Sequence, residues 1–576
     1  MDDLHPNEAL KRESRYLRGT LTASLDDAVT GAVSDDDALL TKFFGIYQQD
    51  DRDVRDERRR ARLEPQYQFM VRVRMPGGVC TPAQWLAIDD LARRYAGNTI
   101  RLTTRQTVQF HHVAKRHLRA LLAGLAAAGL DTLAACGDDN RNVISAANPL
   151  LSAAHAEASA LARTVSESLL PRTGAYREVF LGEPPRAVIG EEEPVYGATY
   201  LPRKFKIAIA VPPRNDIDVR AHDLGFVAVL EGGRIAGYDV YVGGGMGMTH
   251  RTPATFPRLS DPVGFCRPDD VLPVAFHTLC IQRDHGDRRD RAHARFKYTI
   301  EDRGADWFAA ELARRLGRAL EPARGAGFET NQDPDGWHRS ADGRWHCAVN
   351  VENGRVIDGG GRDLMTALRA IASLHCGVFA LTTNQNLIVA GVDESQRAAI
   401  DALLDAHGVA VSARQPVRRV AMACVALPTC GLAMAESERY LPRFMEVLGQ
   451  LMRECGVGEE AINVRLSGCP NGCSRPFLGE IALVGRAPGR YNLHLGAGRA
   501  GERLNVLYRE NVDEAAILAA LRPLLQRFAA ERQPGEAFGD FTVRAGVVPA
   551  LIHGREFHRA AAAVAAEAAP AAALSA

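Results

Sequence analysis

Four cysteines of this chain are spaced to act together: Cys424, Cys430, Cys469 and Cys473, in the pattern C-x5-C-x38-C-x3-C. The last two sit in Gly468-Cys469-Pro470-Asn471-Gly472-Cys473. Pro and Gly suit a tight loop whose backbone N–H groups can point at sulfur. Four thiolates are the ligand set of one 4Fe–4S cluster. They also suit a tetrahedral zinc ion, and inert buried thiols are the plainest alternative. The spacing matches neither the common ferredoxin runs nor the C-x2-C pairs of zinc ribbons. Cys80, Cys136, Cys266, Cys280, Cys347, Cys376 and Cys455 show no ligand spacing and read as core or incidental thiols.

Cations form the second constellation. Arg72 and Arg74 alternate with Val71 and Val73, which puts both on one face of a strand. Arg101 and Arg105 flank a Thr-rich stretch, Arg141 sits in Asn140-Arg141-Asn142-Val143, and Lys204 and Lys206 share a face leading into Ile207-Ala208-Ile209. Like charges on one strand face are costly unless solvent or anions screen them. Singly, each pair reads as an open sheet face in water; together they fit a cavity lined for polyanions. Arg suits carboxylates through its fork, and Lys acts as a point charge.

Other motifs are weaker. Gly243-Gly244-Gly245-Met246-Gly247 lacks the G-x-G-x-x-G spacing and reads as a tight turn or close backbone approach. His111-His112 reads as a structural pair. No P-loop, G-x-S-x-G or H-E-x-x-H occurs, and no flavin or nicotinamide domain is visible, so electrons must come from another protein.

These groups need a large frame, and 576 residues allow several domains. Lys+Arg and Asp+Glu both number 70, so net charge gives no case for nucleic acid and anion binding must be local. No apolar run is long enough for a membrane span. The polar, acidic N-terminus argues against a secretory signal, and 11 cysteines, an odd number without a short disulfide-type framework, fit a reducing cytoplasm.

The frame itself is repeated. A strand at 67–74, a helix over Pro82 to Tyr95 and a strand at 99–110 recur as a strand at 345–351, a helix over Leu364 to Leu374 and a strand at 379–389, sharing Leu-Thr-Thr-x-Gln. Tyr238 to Gly245 recurs more weakly as Tyr491 to Gly498. The expected fold is α+β, mixed sheets with helices, in duplicated A–B–A′–B′ modules with pseudo-twofold symmetry and a site between them. The expected parts are a charge-rich N-terminal arm (1–64), solvated or docking a partner; two half-module repeats (65–135 and 341–415); two larger modules (136–340 and 416–558), the second carrying the four spaced cysteines; and a disordered Ala-rich tail (559–576).

From about Arg12 to Val548 the chain resembles the siroheme-dependent nitrite and sulfite reductases, in particular the hemoprotein (beta) subunits of assimilatory NADPH-sulfite reductases. Tyr47-Gln48-Gln49-Asp50-Asp51-Arg52-Asp53, Leu102-Thr103-Thr104-Arg105-Gln106-Thr107, Asn140-Arg141-Asn142-Val143, Leu201-Pro202-Arg203-Lys204-Phe205-Lys206, the Cys469–Cys473 loop and Phe538-Gly539-Asp540-Phe541-Thr542-Val543-Arg544 carry the likeness. The resemblance implies two cofactors, siroheme and a 4Fe–4S cluster held by the four cysteines, with Cys473 joining the cluster to the siroheme iron. It places Arg72, Arg141, Lys204 and Lys206 around sulfite, and Arg101, Thr103, Arg105, Gln109, His111 and Arg203 along siroheme. It implies six-electron reduction of sulfite to sulfide, and a flavoprotein (alpha) partner carrying FAD and FMN and binding NADPH. A nitrite reductase is the nearest alternative; a non-catalytic iron–sulfur or zinc scaffold is the alternative of another class.

Overall fold

The computed structural model describes residues 3–184, 193–409 and 415–573. Its two Leu-Thr-Thr-x-Gln segments are hairpin turns, where single long strands were expected. Ile100–Leu102 pairs antiparallel with Val108–Val113, and Val378–Leu381 with Leu387–Val392. Between them Gln106 and Gln385 take φ of 50° and 70°. The Gln106 N–H donates to Thr103 O at 3.1 Å, and the Gln385 N–H to Thr382 O at 3.2 Å. A residue in the left-handed region turns the chain sharply.

The two half-modules are built alike and exchange strands. The first sheet runs Ile46–Asp50, Tyr67–Arg72, Val108–Val113, Ile100–Leu102, Arg355–Val356; its counterpart runs Gly336–Arg339, Trp345–Val349, Leu387–Val392, Val378–Leu381, Val79–Cys80. Each half thus lends a two-residue strand to the other's edge, Arg355 opposite Arg101 and Cys80 opposite Phe379. The exchange covers an edge that would otherwise leave backbone groups unpaired. The helix Pro82–Tyr95 starts on a Thr81 and Gln84 capping box and packs against Leu364–Leu374. Its Trp85 ring lies 5.1 Å from that of Phe379.

The other two sheets also share one topology. Ile144–Ser145, Ile207–Ala210 and Leu224–Glu231 run parallel, then Arg234–Val242 and Asp261–Cys266 return antiparallel. Met422–Ala423, Val464–Ser467 and Ile481–Ala487 run parallel, then Arg490–Leu495 and Val506–Val512 return antiparallel. The weak repeat, Tyr238 to Gly245 and Tyr491 to Gly498, falls on and just after the fourth strand of each. The fold is α+β and duplicated.

Three expectations change. The first 64 residues are not an arm: Leu17, Leu21 and Phe44 are fully buried and Ile46–Asp50 is a sheet edge. The helix Arg55–Arg60 keeps the solvated character, burying no side chain. The hairpin of Gly336–Arg339 with Trp345–Val349 spans residue 340, so the second half-module starts upstream of that boundary. The Ala-rich tail is a helix, Phe557–Ala573, docked through Phe557, Ala560 and Val564; residues 574–576 lie outside the described residues.

Candidate functional site

A cavity of about 390 Å³ lies between the first sheet and the cysteine loops, and Cys424, Cys430, Cys469 and Cys473 all line it. Cys424 directly follows Met422–Ala423, and Cys469 follows Val464–Ser467, so both loops leave the same ends of neighbouring parallel strands. Gly468 lets these loops meet, since a Cβ there would stand 2.5 Å from Ala426 Cβ and 2.7 Å from Ala435 O. Its N–H donates to Cys424 Sγ at 3.3 Å, and Asn471 Nδ2 donates to Cys473 Sγ at 3.5 Å. Burial and the charge of neighbouring thiols, Cys473 first among them, raise Cys424, Cys469 and Cys430, the last to about 11. Thiols this reluctant to ionise become stable thiolates on a cationic centre. Among the described residues no three His, Cys, Asp or Glu converge as a single metal ion requires. The four cysteines on this cavity are the ligand set of a 4Fe–4S cluster.

The opposite wall is the first sheet. Register places Arg72, Gln109, Arg101 and Arg355 in one row across four strands. With its amide oxygen turned to Arg72, Gln109 accepts from Nη2 and Nε at 2.5 and 3.0 Å, and Arg72 Nη1 donates to Cys136 Sγ at 2.8 Å. The other end of that amide faces His111 Nε2. Burial, then Arg355 and Arg101, keep His111 far below its usual value, so it stays neutral. Arg101 pairs with Glu438 and donates to Ala423 O at 2.8 Å, tying the sheet to the strand before Cys424. Thr103 Oγ1 accepts from the Arg105 N–H at 3.2 Å. The same register positions of the second sheet carry Ala348, Ile388, Ala380 and Val79, with Ala390 where the first sheet has His111, and Ala147 and Leu150 pack against this face. One copy of the duplication is charged and open; the other is apolar and filled.

The end of the cavity is strongly basic. Arg141 donates to Gly137 O at 3.0 Å and approaches Tyr47 Oη at 3.5 Å. Arg203 lies 3.7 Å from Asp138, which Arg291 holds in a fork at 2.9 and 3.1 Å. Burial would raise Asp138, but Arg291, Lys11 and Arg203 outweigh it and hold the carboxyl at about 2. Lys204 lines the cavity; burial, then Arg203, Arg141 and Lys206, hold it well below an ordinary lysine. Such crowded cations fit a bound polyanion.

Of the expected residues, Arg72, Arg101, Thr103, Gln109, His111, Arg141, Arg203, Lys204 and the four cysteines line the one cavity. Arg105 and Lys206 are not part of that lining. Arg105 donates to Asn142 O and lies 3.3 Å from His222 Nδ1. Lys206 is lowered by burial, then Arg105 and Arg295. Arg74 turns away to pair with Asp131 at 2.5 Å. Sequence reasoning missed Lys11, Lys42, Asp138, Arg291 and Gln385, all on the cavity wall. The charge-rich look of the first 64 residues hid the two lysines, Asp138 and Arg291 carry no motif, and Gln385 belongs to the Leu-Thr-Thr-x-Gln repeat, which signals fold rather than a site.

Residues 162–320 match the family description "Nitrite and sulphite reductase 4Fe-4S domain", and residues 62–128 and 338–407 match "Nitrite/Sulfite reductase ferredoxin-like half domain". The span 162–320 precedes the four cysteines, which lie in the second copy of its sheet topology. Proteins named sulfite reductase (NADPH) hemoprotein beta-component are similar along nearly the whole chain. That of Chromohalobacter salexigens is 58% identical over 97% of this chain and 98% of its own. That of Myxococcus xanthus is 56% identical over 94% and 96%. The solved structure of the Mycobacterium tuberculosis NirA protein superposes with a TM-score of 0.76 at 24% identity, covering 94% of this chain and 97% of that one, a likeness of fold.

Proposed function

The chain belongs to the nitrite and sulphite reductase family, and on that premise we propose that it reduces sulfite to sulfide as the hemoprotein partner of a flavoprotein drawing electrons from NADPH. Its cofactors are siroheme and a 4Fe–4S cluster. The observation that carries the reading is one cavity with four cysteines on one wall and unbalanced cations on the other. Cys424, Cys430, Cys469 and Cys473 would hold the cluster, with Cys473 shared with the siroheme iron. Arg101, Thr103, Gln109, His111 and Arg203 would face siroheme, with Arg105 buttressing them from outside the lining.

When bound, these groups supply the single-electron steps that break S–O bonds. The chain's residues do the rest. Arg72, Arg141 and Lys204 would neutralise the sulfite dianion, and Lys206 would add its field from outside the lining. The reaction takes up six electrons and six protons per sulfite and yields sulfide and three waters. Lys204, depressed by its surroundings, gives up a proton more readily than a free lysine and suits general acid catalysis. The sulfide would enter cysteine biosynthesis in the cytoplasm.

The test is reoxidation of reduced viologen by the purified coloured protein, with sulfite and nitrite compared and sulfide quantified. Stoichiometric sulfide, with sulfite used at the lower concentration, is expected. Fast nitrite reduction with little sulfide would move the substrate to nitrite.

A further inference from the structure

The segment after Cys473 closes a ring of hydrogen bonds that no motif accounts for. Thr104 Oγ1 donates to Cys473 O at 3.0 Å. Arg475 Nη1 donates to Thr104 O at 3.2 Å, while Nη2 reaches Thr383 O and Oγ1, both at 3.2 Å. Arg475 Nε and Arg465 Nη1 each donate to Asp218 Oδ2 at 2.6 Å, and Arg465 Nη1 also donates to Arg475 O at 3.2 Å.

The placement is specific. Thr104 and Thr383 hold the same position in the two Leu-Thr-Thr-x-Gln turns. One guanidinium therefore grips both half-modules at equivalent points, and Asp218, between Ile207–Ala210 and Leu224–Glu231, brings in a third sheet. Arg465, Asp218 and Arg475 are 0%, 1% and 5% exposed. Asp218 and Arg475 have φ of 48° and 51°, a conformation non-glycine residues hold only when their surroundings impose it. Buried charges of this kind demand near-complete satisfaction, and breaking one partner leaves the others stranded. Thr104 itself is part of the cavity wall. Tying the Cys473 carbonyl to it fixes how far the thiol stands from that wall.

We infer that the ring of Thr104, Cys473, Arg475 and Asp218 is a positioning device that sets the approach of Cys473 to the siroheme face, and with it the coupling between cluster and siroheme iron. The inference rests on the proposed sharing of Cys473 between the two cofactors. Coupling through a shared ligand falls steeply with misplacement, and a displacement of about 1 Å can cost up to a hundredfold in rate.

Thr104→Val keeps the volume and the β-branch and removes the donor. In the purified, cofactor-loaded variant, iron and siroheme contents should be unchanged. The magnetic coupling between cluster and siroheme iron, read by Mössbauer spectroscopy, should weaken. The viologen-driven kcat should fall about tenfold while the sulfite KM moves less than about twofold. Thr104→Ser should restore both. Arg475→Lys keeps the charge, loses the fork and should move the same two readouts. Unchanged coupling and kcat in Thr104→Val and Arg475→Lys overturn the inference. Cys473→Ser separates the two readings. Coupling lost there but intact in Thr104→Val leaves the shared cysteine standing and removes the ring. Coupling intact in Cys473→Ser removes the shared cysteine and the inference with it.

Discussion

At the residue scale the lysines decide how the site answers to pH. Burial and neighbouring cations hold Lys204 and Lys206 well below the ordinary lysine value of 10.5. A base with a lowered pKa is charged below that lowered value and loses its proton as pH rises through it. The charge that a sulfite dianion needs therefore disappears at a lower pH than an exposed lysine would allow. Sulfite KM should rise with pH on the basic side, through a group titrating below 10.5. Lys204→Arg should move that rise to higher pH, because arginine stays protonated throughout; an unmoved KM profile would take Lys204 out of substrate binding. Lys206→Ala should keep both cofactors, read by colour and iron content, and lose most sulfite turnover. The loss should be smaller than for Lys204→Ala, because Lys204 lines the cavity and Lys206 does not.

At the element scale the duplication was legible and its joints were not. The cysteine spacing, the helix over Pro82 to Tyr95 and the repeated turn motif all carry local signals. The turns hid their hairpins because Gln106 and Gln385, not glycine, take the positive φ. The exchanged strands Val79–Cys80 and Arg355–Val356 are too short to show a period of two. The tail misled because alanine hides a stripe: Phe557, Ala560 and Val564, at i, i+3 and i+7, form a docking face whose middle member is nearly featureless. The Phe557 ring meets that of Phe477, just beyond Cys473, at 5.3 Å and that of His494 at 5.9 Å. Phe557→Ala should cost about 3–5 kcal/mol in urea unfolding. Arg559→Ala, on the exposed side of the same helix, should cost less than about 0.5 kcal/mol. Equal losses in the two proteins would show that the docking does not run through Phe557.

At the scale of the whole molecule, the question is how electrons reach a cavity walled by both half-modules and by the N-terminal segment. Arg52 fixes the answer's geometry: its Nη1 donates to Cys430 O and Ala433 O at 2.9 and 2.8 Å, so the N-terminal segment grips the loop that carries Cys430. Deleting residues 1–64 would remove cavity wall along with any partner contact, and could not separate the two. Three residues beyond Arg52 begins the exposed helix Arg55–Arg60, with Arg58, Arg59 and Arg60 in its last turn. Beside Cys430, Leu432 is 65% exposed at the mouth of the cavity it lines. A donor presenting acidic groups would be drawn to this last turn, with Asp56 and Glu57 in the first turn offsetting part of the charge. Charge reversal of Arg58, Arg59 and Arg60 to Glu should leave viologen-driven sulfite reduction intact, because a small dye needs no dock. With a flavoprotein partner added, NADPH-driven reduction should fall by about tenfold or more, most at low ionic strength, where charge steering is least screened. If both activities fall together, the helix serves the fold of the Cys430 loop. If neither falls, the donor reaches the cluster from another side.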